Sequence, residues 1–112
     1  MKVKIERVGN TLLARLAGEL DLKTAPVFRE EVEQELYLHR DFKNLALDLG
    51  GVTFIDSSGL GAILGRYRSI SQGGGKMIAF GLSPQVRKIF DLSGLSKIID
   101  LYETEGQALK AL

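Results

Sequence analysis

The chain of 112 residues has no cysteine and no tryptophan, a single histidine and two prolines. Without cysteine there is no disulfide framework, no thiolate zinc centre and no iron–sulfur cluster. His39 is the only imidazole. A metal site built on two histidines is therefore excluded, as is any serine–histidine pair that does not use His39. A membrane-spanning helix needs about 20 predominantly apolar residues, and acids, bases or glycines interrupt every apolar run well before that length. The opening MKVKIERVGN alternates charged with apolar residues, unlike the apolar centre of a signal peptide, so the cytoplasm is the expected location. An excess of one charge is missing too. Fifteen Lys and Arg against 14 Asp and Glu leave a formal +1, which gives no bulk attraction to nucleic acid or an anionic membrane.

What is present is a good core-former: 45% of the residues are hydrophobic, enough at this length for one domain over residues 1–112. Lys2 to Val8 alternates, with Val3 and Ile5 on one face, and Gly9-Asn10 suits a two-residue turn into a second strand, Thr11 to Ala17. After GELDLK, Thr24 is placed to cap a helix with Pro26 in its first turn, and Phe28, Val32 and Leu36 recur at helical spacing. Glu30, Glu31, Glu33 and Glu35 sit mostly off that stripe and read as a solvated face. Leu45 to Leu49 is nearly all apolar, as in a strand covered on both faces, and Gly50-Gly51 follows as the point where the chain leaves it.

From Ser58 to about Gln72, the positions Leu60, Ile63, Leu64, Tyr67 and Ile70 follow helical spacing, and Gly73, Gly74 and Gly75 stop the helix. A strand is expected at Met77 to Phe80. A third helix follows, opened by Ser83-Pro84 and closed by Gly94. A brief strand at Ile98 to Leu101 comes next. Thr104 and Gln107 have capping-box spacing for a last short helix that packs Ala108, Leu109 and Leu112. The order ββαβαβαβα predicts an α/β fold: a mixed, mostly parallel sheet with an N-terminal hairpin, an antiparallel edge strand and about four helices.

The segment FIDSSGLGAILGRY, residues 54–67, carries the chemistry. Asp56-Ser57-Ser58 falls where the chain leaves the sheet for the second helix, the edge at which α/β folds generally bind ligands and partners. Asp56 or Ser57 can cap the helix by accepting from its free N–H groups. Gly59, Gly61 and Gly65 are costly there, roughly 0.8–1.0 kcal/mol each relative to Ala in a helix interior. Two uses offset that cost: close packing of the helix on the sheet, or bare backbone that another molecule approaches. A phosphate on a serine at this helix start adds about −1.5 to −2 charge where the helix favours anions, while Asp56 opposes it. The larger effect is then expected on a docked partner.

Other chemistries fit the residues less well. Ser57 and Ser58 lack the GxSxG pattern, and His39 falls near the end of the first helix with no sequence argument for bringing it to them. GGGK, residues 73–76, follows a helix and precedes a strand, the reverse of a phosphate loop, and reads as a helix stop. Asp21, Asp48 and Asp56 form a magnesium site only if the fold converges them. Otherwise Asp21 is a turn residue and Asp48 a hydrogen-bond acceptor at a strand end.

Taken together, GELDLKTA (18–25), DSSGLGAILGRY (56–67) and SPQVRKIFDLSGLSKII (83–99) resemble the STAS family, named for sulfate transporters and anti-sigma factor antagonists. Within it the likeness is to the antagonists that act in sporulation. The resemblance covers nearly the whole chain and implies a switch rather than an enzyme, with no cofactor of its own. The unphosphorylated form binds an anti-sigma factor that is also a serine kinase, releasing the sigma factor for transcription. The kinase uses ATP to phosphorylate the chain, which breaks the complex, and a serine phosphatase resets it. By this resemblance Ser57 is the phosphoacceptor, with Asp56, Ser58, Gly59, Leu60 and Gly61 as its recognition surface and Asp21 and Thr24 beside it. Two alternatives are a STAS component of another stress-signalling or transporter-associated complex, and a small nucleotide-binding protein. A neighbouring gene for a histidine-kinase-like anti-sigma factor tests the first, and saturable nucleotide binding the second.

Overall fold

The computed structural model describes residues 1–112. Strands β1 (Lys2–Val8) and β2 (Thr11–Leu20) form the expected hairpin, with Gly9 alone at positive φ in the turn. Then come α1 (Ala25–Leu38), β3 (Asn44–Ile55), α2 (Ser57–Gln72), β4 (Met77–Phe80), α3 (Pro84–Ser93), β5 (Asp100–Tyr102) and α4 (Glu105–Lys110). A single 3-10 turn, Leu95–Lys97, joins α3 to β5. The sheet runs β1-β2-β3-β4-β5, with β1 antiparallel to β2 and every later pair parallel.

From β2 onward each strand lies beside its predecessor, always in the same direction. Right-handed crossovers therefore put α1, α2 and α3 on one face. The main core lies there: Leu12, Ala14, Leu16, Leu45, Leu47 and Leu49 of the sheet against Phe28, Val32, Ile63, Val86 and Phe90 of the helices. The alternate residues Leu13, Ala46, Ile78 and Phe80 point to the other face, where only α4 covers them through Ala108. Next to α4 that face is polar. Arg15 pairs with Glu6, with Asp48 at 3.0 Å and with Glu105 at 2.6 Å. Its guanidinium is held charged well above its ordinary pKa, chiefly by the Glu105 hydrogen bond.

The structure moves several sequence expectations. Thr24 stands at the start of α1, but its hydroxyl does not cap the helix; it donates to Glu19 O at 2.7 Å instead. Gly50-Gly51 does not release β3, which runs on to Ile55. Gly51 is needed because β2 passes so close that a Cβ would sit 2.9 Å from the Ala17 Cβ, at a break in the β2–β3 register. The last strand starts two residues late, since Ile98 and Ile99 complete the turn after Leu95 and Ile99 is buried. Leu112 remains 39% exposed rather than packed. Three caps match: Asp56, Ser83 and Thr104 each accept a backbone N–H of their helix. Gly94 ends α3 in the left-handed conformation, φ 85°, which favours glycine.

Candidate docking and phosphorylation site

Because β2 and β3 are parallel neighbours, the β2–α1 loop and the β3–α2 junction meet at the carboxyl edge of the sheet. Asp56 joins them. Its Oδ1 accepts from Gly59 N at 2.9 Å, capping α2, and its Oδ2 accepts from Leu22 N at 3.1 Å, holding the neighbouring loop. Its own N–H donates to Leu20 O at 3.2 Å. A serine cap has one side-chain oxygen; the carboxylate has two and can serve both elements. Asp21 organises the loop from within, accepting from the N–H groups of Lys23 at 3.0 Å and Thr24 at 3.1 Å. These bonds, the one from Thr24 N–H first, hold its carboxyl below the ordinary aspartate range.

With Asp56 as the cap, the two serines differ. Ser57 is the first residue of α2 and is exposed, whereas Ser58 is half-buried and turned toward α1. Two large apolar side chains flank this edge: Leu22, 73% exposed, and Phe54, 47% exposed. Leu60 is half-buried against the core.

The glycines separate by use. A Cβ on Gly59 would lie 2.3 Å from Leu20 O and 2.9 Å from Leu20 Cγ, so α2 sits against the end of β2 only because that residue lacks one. Gly61 and Gly65 have nothing within 4 Å of the equivalent position. They open a groove of about 650 Å³ between the helices, with Leu22, Ala25 and Pro26 on one side and Ser58, Gly61 and Gly65 on the other. Packing explains the first glycine and open surface the other two.

Arg66 lines the same groove and is 7% exposed. Glu33 Oε1 is 2.7 Å from Arg66 Nε. The N–H does not point at the carboxylate, and both Nε and Nη1 are left without an aligned acceptor. Burial lowers the guanidinium pKa, and Glu33 offsets part of that. Glu33 is thus no mere member of a solvated face. The sequence reading passed over Arg66 although it shares the phase of Ile63 and Ile70, the buried stripe of α2. A charge on that stripe was the available signal.

The remaining candidates fall apart in space. His39 ends α1, at the edge where the chain turns back into β3, and stacks edge-on to Phe42. That is the opposite edge of the sheet from Ser57. Asp48 is engaged with Arg15 and accepts from Gly50 N at 3.0 Å, so Asp21, Asp48 and Asp56 do not converge, and no three His, Cys, Asp or Glu side chains gather to hold a metal ion. In GGGK, Lys76 N donates to Asn44 Oδ1 at 2.9 Å, tying the helix stop to the start of β3.

The sequence pattern of the STAS domain matches residues 2–108. The chain belongs to the STAS family. Among its relatives in that family, the anti-sigma F factor antagonist of Paenibacillus polymyxa is 38% identical over 112 residues, covering 100% of this chain and 95% of that protein. The anti-sigma-B factor antagonist of Bacillus subtilis is 32% identical, over 90% of each chain. A Bacillus structure, the cell fate determinant SpoIIAA in the phosphorylated form, superposes with a TM-score of 0.76 at 30% identity over 98% of both chains. These STAS relatives are regulatory binding proteins rather than enzymes. The observed mixed five-stranded sheet with its antiparallel hairpin and four helices is the STAS architecture expected from the three motifs. No helix is long and apolar enough to cross a membrane.

Proposed function

We propose that this STAS domain is an anti-sigma factor antagonist in the cytoplasm, controlling a sigma factor of the sporulation type. Unphosphorylated, it binds an anti-sigma factor that is a serine kinase and so frees the sigma factor. Transfer of the ATP γ-phosphoryl group to the Ser57 hydroxyl, with its proton lost, ends the complex, and a serine phosphatase hydrolyses the ester. Docking uses Asp21, Thr24, Asp56, Ser58, Gly59, Leu60 and Gly61 around the acceptor. The observation that carries the reading is the division of labour at the start of α2: Asp56 holds the helix and the neighbouring loop, leaving Ser57 exposed and outside the capping bonds. A dianionic phosphate there leaves the cap in place and places about −1.5 to −2 charge at the centre of the docking edge.

The test is to mix the chain with its cognate anti-sigma factor and ATP and locate the modification by mass spectrometry. Ser57→Ala binds and is not phosphorylated; Ser57→Asp binds at least ten-fold more weakly. Modification at Ser58, or wild-type affinity for Ser57→Asp, overturns the assignment. A second reading, control of a stress sigma factor, has in its favour the 32% identity to the Bacillus subtilis anti-sigma-B factor antagonist. The sigma factor released in the reconstituted system separates the two.

A further inference from the structure

Arg66 is an expensive residue in its position. A guanidinium has five N–H donors and no acceptor, and this one is 7% exposed with Nε and Nη1 lacking aligned acceptors. Leaving buried donors unmade carries a desolvation penalty that a hydrophobic residue of similar length avoids. Its one carboxylate neighbour, Glu33, is itself engaged by the Ser69 hydroxyl at 3.1 Å. A second cation, Arg29, lines the same groove, and the two arginines repel one another. The groove is open because Gly61 and Gly65 have no side chains, and it is continuous with the docking edge through Ser58 and Leu22.

We infer that the α1–α2 groove receives a carboxylate side chain of the docking partner, which accepts from the free N–H groups of Arg66. This rests on the docking edge proposed above and adds the chemistry the partner must present there. A carboxylate suits the groove better than a phosphate dianion. Glu30 and Glu33 stand beside the two arginines, so one further negative charge is balanced and two are not. The apolar wall of Leu22, Ala25 and Pro26 fits the stem of a glutamate or aspartate side chain. No bond is made or broken; the step is an ion pair formed in a site from which water is excluded.

Two variants of the full chain test this. Arg66→Met removes the donors at similar length. Gly65→Leu keeps Arg66 and fills the groove, where a new side chain meets nothing of this chain within 4 Å at its Cβ. Affinity for the anti-sigma factor is expected to fall about 10- to 100-fold in each, the loss of one charge-assisted hydrogen bond. The Tm of Arg66→Met stays level or rises. A lower Tm with unchanged affinity makes Arg66 structural and overturns the inference, as does unchanged affinity at unchanged Tm.

A partner-free arm follows the Nε–Hε NMR signal of Arg66 as sodium acetate replaces sodium chloride at constant ionic strength. A saturable shift, absent in Gly65→Leu, supports the inference; no shift overturns it. A larger response to inorganic phosphate than to acetate also overturns it, in favour of a free phosphate site. If the wild-type chain binds no anti-sigma factor, the proposed function fails by itself, and the acetate titration still decides the groove.

Discussion

Replacing the glycines of α2 one at a time separates packing from partner access. An alanine at Gly59 places a methyl 2.3 Å from Leu20 O, where ordinary contact begins near 3.4 Å, so the end of β2 must retreat by about 1 Å. Leu20 O also accepts from Asp56 N, and the retreat strains that bond. Overpacking of this kind costs roughly 1–3 kcal/mol, a sizeable part of a typical 5–15 kcal/mol domain stability. Gly61→Ala and Gly65→Ala meet nothing within 4 Å and recover helix propensity, roughly 0.8–1.0 kcal/mol each in a helix interior. For a domain of this size that raises Tm by roughly 3–6 °C per substitution. Denaturant titration of the three variants, with calorimetric binding to the anti-sigma factor, reads both effects. Gly59→Ala loses stability; Gly61→Ala gains stability and loses affinity. A neutral Gly59→Ala, or a destabilised Gly61→Ala, refutes the packing account. A stabilised Gly61→Ala with full affinity refutes the access account.

Two other perturbations probe the loops that frame Ser57. Asp56→Ala removes the α2 cap and the bond from Leu22 N together, so about 1–2 kcal/mol of stability is lost, and amide exchange at Leu22 and Gly59 accelerates more than exchange in β4. Equal acceleration throughout shows that Asp56 does not hold the two elements locally. The Asp21 carboxyl, lowered chiefly by the Thr24 N–H bond, contributes order to the β2–α1 loop at pH values above the ordinary aspartate pKa of about 3.9. That contribution is lost as pH falls through the depressed folded value. An NMR titration should find Asp21 titrating below an unstructured aspartate, with Thr24 N–H following the same curve. Titration at or above the ordinary value contradicts the turn geometry.

Element identity and order were legible in the sequence because they depend on local chemistry. Alternation in β1, the Phe28–Val32–Leu36 stripe, the Ser83-Pro84 start and the Gly94 stop each act within one or two turns of chain. Where a competing partner came from afar, the local reading failed. Thr24 looked like a cap, yet Glu19 O takes its hydroxyl. Gly50-Gly51 looked like a strand end, yet β3 continues because β2 pairs alongside it. For the site, the family motifs singled out the serine pair and its surroundings. They could not divide the glycines, because what a missing Cβ would touch lies on another element.

By itself the sequence determined the run of strands and helices, the absence of thiolate and two-histidine chemistry, and the placing of Asp56-Ser57-Ser58 at a strand-to-helix junction. Periodicity, composition and capping residues are properties of neighbours along the chain. Only the tertiary structure decided that Asp56 bonds two loops at once, that Gly59 packs while Gly61 and Gly65 stay bare, and that Arg66 lies buried beside an open groove. Each of those depends on the 34-residue separation between Leu22 and Asp56, or on similar distances between α1 and α2. Such contacts exist only once parallel pairing of β2 with β3 has brought the two crossovers side by side.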